Sequence, residues 1–174
     1  MGEFDFAFTL VGLILGLAVT EALSGMVRTL RKHEFRSIGW LTPLLGLVVI
    51  CDLTTYWGML WGFRGDMPQL YQAMAVGVIA TGIYYVAAGL VFPSEDADLD
   101  AHYFAYKRRI IALVVAVNLP IMAYQIRYWS FVIYLVSGTW LFLMGVAFLA
   151  RSKAVNYAAL LSLIALYAYM FIDR

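Results

Sequence analysis

Charged residues are scarce in this chain. Only 13% of its 174 residues are Asp, Glu, Lys or Arg, whereas 64% are hydrophobic. A typical soluble domain carries about a quarter charged residues, so a soluble fold of this length would lack the polar side chains that cover a surface. The composition therefore predicts that the lipid bilayer is the solvent. The net charge of +1 gives no indication of nucleic-acid binding.

Cysteine and histidine, the residues of many redox and metal sites, are also rare. The chain has one cysteine, Cys51, which excludes an internal disulfide framework and a multi-thiolate metal site. Its two histidines, His33 and His102, fall outside the apolar segments, which excludes intramembrane haem ligation. The motifs H-E-x-x-H and G-x-S-x-G and the P-loop are absent. These absences predict a protein that is not an enzyme and that binds neither a metal nor a cofactor.

Most of the sequence consists of long apolar segments. A helix needs about 20 apolar residues to cross the hydrocarbon core of a bilayer, and the segments lack the alternation of a membrane β-barrel. The predicted fold class is an all-α integral membrane protein, a bundle of six transmembrane helices that forms one domain over residues 1–174. The predicted spans are approximately 6–27, 37–63, 67–92, 110–126, 128–150 and 154–172.

The longest loop, residues 93–109, predicts a short amphipathic helix between spans three and four. Pro93 ends span three, and Ser94 is a favoured N-cap residue. The acidic residues that follow would lie at the positive end of the helix dipole. The basic triplet 107–109 then precedes the membrane.

Lysine and arginine are distributed unequally between the two sides, which predicts the orientation. Of the 12 basic residues, nine fall in the loops on one side and three on the other. Because cytoplasmic loops carry an excess of Lys and Arg, the nine are predicted to face the cytoplasm, with both termini outside, in a plasma (inner) membrane. The nine are Arg28, Arg31, Lys32, Arg36, Lys107, Arg108, Arg109, Arg151 and Lys153.

Two carboxylates interrupt the apolar spans. Asp52 falls near the middle of span two, and Glu21 falls in span one, seven residues before Arg28. An Asp at the centre of a membrane helix costs about 2.5–3.5 kcal/mol on insertion, so such residues face the bundle interior or water and find partners. Both are candidates for an ion pathway. Each is also compatible with a structural role, and for Glu21, which lies closer to the basic edge, an ion pair with Arg28 is the favoured interpretation.

Several neutral polar residues are candidate partners of these carboxylates. On span two, Thr55 and Tyr56 follow Asp52 by three and four residues, which places them on the same helical face. Asn118 and Gln125 on span four, with Tyr84 and Tyr85 on span three, are further donors within the bilayer. Pro120 indicates either an unwound break in span four or a kink that improves packing.

Span one also carries small residues at a spacing of four: Gly12, Gly16, Thr20 and Ser24. Such a row lets two membrane helices approach closely. Spans three and six carry similar rows, and the three rows offer more close-packing faces than the helices of one chain would fill. We therefore expect the protein to form a homo-oligomer or to join a larger membrane complex.

Two functions follow from these features. The first is a small oligomeric channel or transporter for ions or protons, in which the intramembrane carboxylates Asp52 and Glu21 lie in the pathway. The alternative is a non-catalytic accessory or scaffold subunit of a larger membrane complex, because the chain has helix-packing rows but no complete catalytic or ligand motif.

Overall fold

The polypeptide forms six α-helices in a computed structural model that describes residues 3–32, 39–62, 70–94, 98–125 and 131–172. Over its described residues, each predicted apolar segment falls almost entirely within one helix, as expected of a bilayer-buried backbone that must satisfy its hydrogen bonds internally. The helices are α1 (Glu3–Lys32), α2 (Leu41–Gly62), α3 (Leu70–Val91), α4 (Leu99–Gln125), α5 (Phe131–Leu149) and α6 (Lys153–Ile172).

Five stretches of these helices are long and apolar enough to cross a membrane, as expected for a multi-pass membrane protein. They are Phe8–Arg31, Leu41–Gly62, Met74–Val91, Phe131–Leu149 and Lys153–Ile172. Within the described residues α4 does not join them, because its apolar part begins only after the basic triplet 107–109. A sixth span and the orientation remain predictions.

The start of α4 differs from the prediction. Asp98, not Ser94, caps this helix, because Asp98 Oδ1 accepts hydrogen bonds from the backbone N–H groups of Asp100 and Ala101 at 2.8 and 3.2 Å. The predicted amphipathic helix is therefore the first part of α4 and continues without a break into the apolar part. The chain is also α-helical on both sides of Pro120, so no unwound segment forms there.

Helix α2 occupies the middle of the bundle, where it packs against α1, α3, α4 and α6. Helix α1 packs mainly against α3, and α5 packs against α4 and α6. Helices α1, α3 and α5 end on the same side of the bundle. We call this side the basic end, because Lys32, Lys107 and Arg151 lie there. The centre of α2 is therefore enclosed on most sides by other helices.

The outer surface of the bundle is strongly apolar. Leu13, Ile79 and Phe142 are 63%, 63% and 69% exposed, on three different helices. Soluble monomers rarely expose large contiguous apolar patches. This surface fits a protein whose helices contact lipid.

The row of small residues on α1 does not form one continuous contact inside the chain. Gly12 is buried, and a Cβ atom added there would lie 2.5 Å from Cη2 of Trp57. Gly16 is exposed, and no described residue lies within 4 Å of a Cβ atom added there. The exposed Thr20 donates a hydrogen bond to the Gly16 carbonyl at 2.8 Å. Ser24 is half-buried. The closest approach elsewhere on α1 involves Gly25, which prediction from spacing missed.

Gly25 and Gly16 form a matched pair for mutation on one helix. A Cβ atom at Gly25 would lie 2.5 Å from Cδ2 and 2.8 Å from Cβ of Phe92. We expect Gly25→Ala to destabilise the fold by about 1–3 kcal/mol, the usual effect of overpacking, whereas Gly16→Ala should not lower its stability. Thermal unfolding in detergent measures both. Equal unfolding midpoints for the two variants would contradict the packing of Phe92 on α1.

Candidate functional site

Asp52 lies half-way along α2 and is only 3% exposed. Because α2 is packed by α1, α3, α4 and α6, the side chain enters the bundle interior instead of the lipid. The cost of burying a carboxylate is met only if hydrogen-bond donors surround it. The sequence supplies these donors on three other helices.

Three neutral side chains donate hydrogen bonds to the Asp52 carboxylate. The hydroxyl of Tyr167 on α6 donates to Oδ1 at 2.6 Å, and the amide of Asn118 on α4 donates to Oδ2 at 2.9 Å. The hydroxyl of Tyr84 on α3 also donates to Oδ2. Asp52 therefore connects four helices through one group.

A second layer of contacts orients these donors. Trp140 Nε1 on α5 donates to the Tyr167 hydroxyl at 2.6 Å, which leaves the hydroxyl proton for Asp52. The Asn118 amide nitrogen also lies 2.8 Å from the Tyr84 hydroxyl oxygen and 3.0 Å from the backbone oxygen of Val114. We call Asp52, Tyr84, Asn118, Trp140 and Tyr167 the Asp52 network. It draws on five of the six helices.

The direction of these hydrogen bonds accommodates an ionised carboxylate. Such a group only accepts hydrogen bonds and offers about four lone-pair positions. Tyr84 and Asn118 occupy positions on Oδ2, and Tyr167 occupies one on Oδ1. One position on Oδ1 is not used by these three residues, and none of the three carries a positive charge.

A cavity of about 380 Å³ adjoins the network. Three methionines that line it, Met59, Met122 and Met170, follow Asp52, Asn118 and Tyr167 on their helices, so the cavity extends towards the end opposite the basic end. Its other lining residues include Thr55, Ser137, Val132, Ile133, Val136 and Tyr169. It is an apolar cavity with a carboxylate at its base.

The start of α5 leaves this cavity accessible from the side. The five consecutive residues 131–135 are all exposed, and five positions cover every direction around a helix. No side chain in the first turn of α5 is therefore buried against the described helices. Burial on α5 begins only at Trp140, where the helix reaches the Asp52 network.

Apolar side chains close the cavity towards the basic end. On α4 the next buried polar side chain in that direction is Lys107, eleven residues from Asn118 and thus about 16 Å away. The buried residues between these two levels are apolar on α4 and α6, and they are Ile110, Ile111, Val114, Val117, Ala159, Leu160 and Leu163. Between α4 and α6 the cavity is therefore closed towards the basic end.

A second polar cluster lies at the basic end. The Lys107 ammonium donates hydrogen bonds to the backbone oxygens of Ala147, at 2.7 Å, and Ala150, and to Asn156 Oδ1 at 2.8 Å. Tyr103 donates to the same Asn156 oxygen at 2.8 Å. Burial, together with the neighbouring Arg108, lowers the pKa of Lys107 to about 8. This buried cation caps the carboxyl end of α5, where the helix dipole is negative.

The residues predicted beside Asp52 on α2 have other partners. Thr55 lines the cavity, but its hydroxyl donates to the backbone oxygen of Cys51 at 2.9 Å, as serine and threonine hydroxyls in helices often do. Tyr56 is buried with its ring edge-on to Tyr84, at a centroid distance of 5.1 Å. Gln125 ends α4, but its side chain lies outside the part of the chain that can be described.

Glu21 is not part of the Asp52 network or of the cavity lining. Its side chain is 37% exposed on α1, and Glu21 Oε1 lies 3.6 Å from Arg28 Nη2. Both groups are on the same helix, two turns apart, so the contact joins no two helices. The structure therefore separates the two carboxylates that the sequence presented as one set.

Tyr167 and Trp140 are the site residues that prediction from sequence missed. Buried tyrosine hydroxyls and tryptophan N–H groups need hydrogen-bond partners, so each was a candidate donor in a chain with one midplane carboxylate. Spans five and six contain several other aromatic residues, and spacing alone does not distinguish among them. No family model, curated protein or solved structure matches this chain, so its function must be inferred from this geometry.

Proposed function

We propose that this protein is a small membrane transporter for monovalent cations or protons, and that Asp52 is the group that binds the transported ion. The observation that carries the proposal is the position of Asp52 at the base of a cavity, buried but with its partners on three other helices. Intramembrane carboxylates of this kind mark ion and proton pathways in many membrane proteins.

The closed apolar layer favours a transporter over an open channel. Conduction through a channel needs a continuous polar or hydrated path. The buried residues of α4 between Lys107 and Asn118, which face the bundle core, are all apolar. In a transporter the cavity would open to each side of the membrane in turn. Movement of α5 relative to α2 and α4 is the simplest route, because no side chain in the first turn of α5 is buried against the described helices.

The test of the proposal is flux into liposomes that contain only the purified protein. Uptake of Na⁺, K⁺, protons or an organic ammonium ion above the level of protein-free liposomes, driven by an imposed gradient, supports it. Absence of uptake for all four ions at several pH values contradicts it.

The proposal includes six spans with the basic end in the cytoplasm. To test this topology, Cys51 is replaced by Ala, and single cysteines are introduced at Ser94 and Ser152 near the basic end and at Gly62 at the opposite end. All three positions are exposed. We expect a membrane-impermeant maleimide added to intact cells to label Gly62→Cys and to leave Ser94→Cys and Ser152→Cys unlabelled. The reverse pattern would overturn the orientation.

A role as an accessory subunit is the second candidate. The observation that favours it is the exposed face of α1, where Thr20 is exposed and no described residue lies within 4 Å of a Cβ atom added at Gly16. Small residues on such a face permit close packing of another membrane helix. Purification from native membranes as a stoichiometric complex with a second protein, without flux in liposomes, would support this function instead.

A further inference from the structure

We propose that the Asp52 cavity binds a monovalent organic ammonium ion with an apolar body. This inference rests on the proposed function, because it names the class of the transported cation. It depends on three features of the site: an incompletely occupied carboxylate, an apolar and aromatic lining, and a side opening.

The carboxylate supplies the charge that an ammonium ion requires. Its three partners are two tyrosines and an asparagine, so none of them neutralises it. Among the described residues only Tyr167 donates to Oδ1, which leaves one lone-pair position there to which an ammonium N–H can donate. A hydrogen bond between two charged groups is stronger than a neutral one.

The lining suits an organic cation better than a metal ion. A dehydrated inorganic cation needs a ring of oxygen atoms in place of its hydration shell. Apart from Asp52, six of the twelve lining residues are methionine, valine or isoleucine, and the exposed surface of the lining is mainly apolar. Methionine side chains adapt to apolar groups of different shapes.

Aromatic rings add attraction for a cation. Trp140, Tyr167 and Tyr169 all line the cavity. Tryptophan and tyrosine rings attract cations through their faces. Combined with one carboxylate, they define a site for a positively charged nitrogen that carries hydrocarbon groups.

The size and the access route fit the same class of ligand. The cavity volume of about 380 Å³ lies within the range of small-molecule sites. The cavity is bounded by Val132 and Ile133 on the exposed first turns of α5. An amphipathic cation that partitions into the membrane can therefore reach Asp52 past α5.

Calorimetric titration of the protein in lipid nanodiscs tests this inference. The probe is 2-phenylethylammonium, and the matched neutral compound is 2-phenylethanol. We expect saturable binding of the ammonium ion and none of the alcohol. Asp52→Asn should weaken this binding about ten- to a hundredfold, the range for loss of one hydrogen bond to a charged group. Glu21→Gln, which alters a carboxylate outside the cavity, should leave it unchanged.

A second variant keeps the test valid if Asp52→Asn fails to fold. Val136 lines the cavity and is only half-buried, so Val136→Trp fills the cavity without entering a packed core. It should abolish binding of the ammonium ion as well.

Three outcomes would overturn the inference. Equal binding of the alcohol would indicate a purely apolar cavity. Saturable binding of Na⁺ or K⁺ without binding of the ammonium ion would indicate an inorganic cargo and would leave the proposed transport function standing. Equal binding of the ammonium ion by the wild-type protein, Asp52→Asn and Val136→Trp would place the site elsewhere.

Discussion

Asp52→Asn is expected to reduce cation or proton flux in liposomes to the level of protein-free liposomes while the protein remains folded. Asparagine has nearly the same shape, and its carbonyl oxygen can still accept hydrogen bonds from Tyr84 and Asn118. It has neither a negative charge nor an exchangeable carboxyl proton. The variant therefore removes the chemistry of transport and keeps most of the packing.

Two further variants separate this effect from loss of structure. Glu21→Gln removes the other carboxylate of the spans, which lies on an exposed face of α1, and should retain flux. Asp52→Leu should lose flux and also lower stability by about 2–5 kcal/mol, because three buried donors lose their common acceptor. Normal flux in Asp52→Asn would remove Asp52 from any transport pathway.

Lys107→Met is expected to produce the largest loss of stability among substitutions near the basic end, about 2–4 kcal/mol. The backbone oxygen of Ala147 would lose the ammonium donor. The backbone oxygen of Ala150 would still accept from Asn156 Nδ2, and Asn156 Oδ1 would still accept from the Tyr103 hydroxyl. At pH 7 the group is mostly protonated, because its pKa is about 8. The substitution therefore also removes the buried charge at the carboxyl end of α5.

Arg108→Met is the matched control for this prediction. It removes the same charge from the next residue, but Arg108 is exposed. Among the described residues it makes one long hydrogen bond, from Nε to the backbone oxygen of Phe148 at 3.3 Å, and it lies over the Phe148 ring at 5.7 Å. We expect it to change stability by less than about 1 kcal/mol, as for most exposed charged contacts. Thermal unfolding of both variants, followed by circular dichroism in detergent, measures the difference. Similar midpoints would mean that Lys107 does not cap α5.

Most of the helical architecture follows from the sequence by simple physical rules. Apolar segments of about 20 residues must form helices in a bilayer, because no other spanning segment except a closed barrel satisfies its backbone. For this reason α2, α5 and α6 begin and end within four residues of the predicted bounds. The position of Asp52 inside one of these helices was evident for the same reason.

The first part of α4, before the basic triplet 107–109, was not predicted to continue the apolar helix that follows it. The prediction began span four at residue 110, because the three basic residues 107–109 precede it. In the structure Tyr103, Lys107, Ile110, Val114 and Asn118 lie along one buried face of a single helix. Their spacing of three and four residues was present in the sequence. Charge alone did not reveal that Lys107 is buried while its neighbours Arg108 and Arg109 are exposed.

By itself the sequence determined that this protein is helical and apolar and that it carries a carboxylate in the middle of its second long helix, because these properties depend on residues close together in the chain. Only the tertiary structure decided which groups surround Asp52. Its three donors are 32, 66 and 115 residues away, and their convergence depends on how the helices pack. The same packing left Glu21 on an outer face and opened the cavity beside α5, since no local pattern specifies which face of one helix meets another.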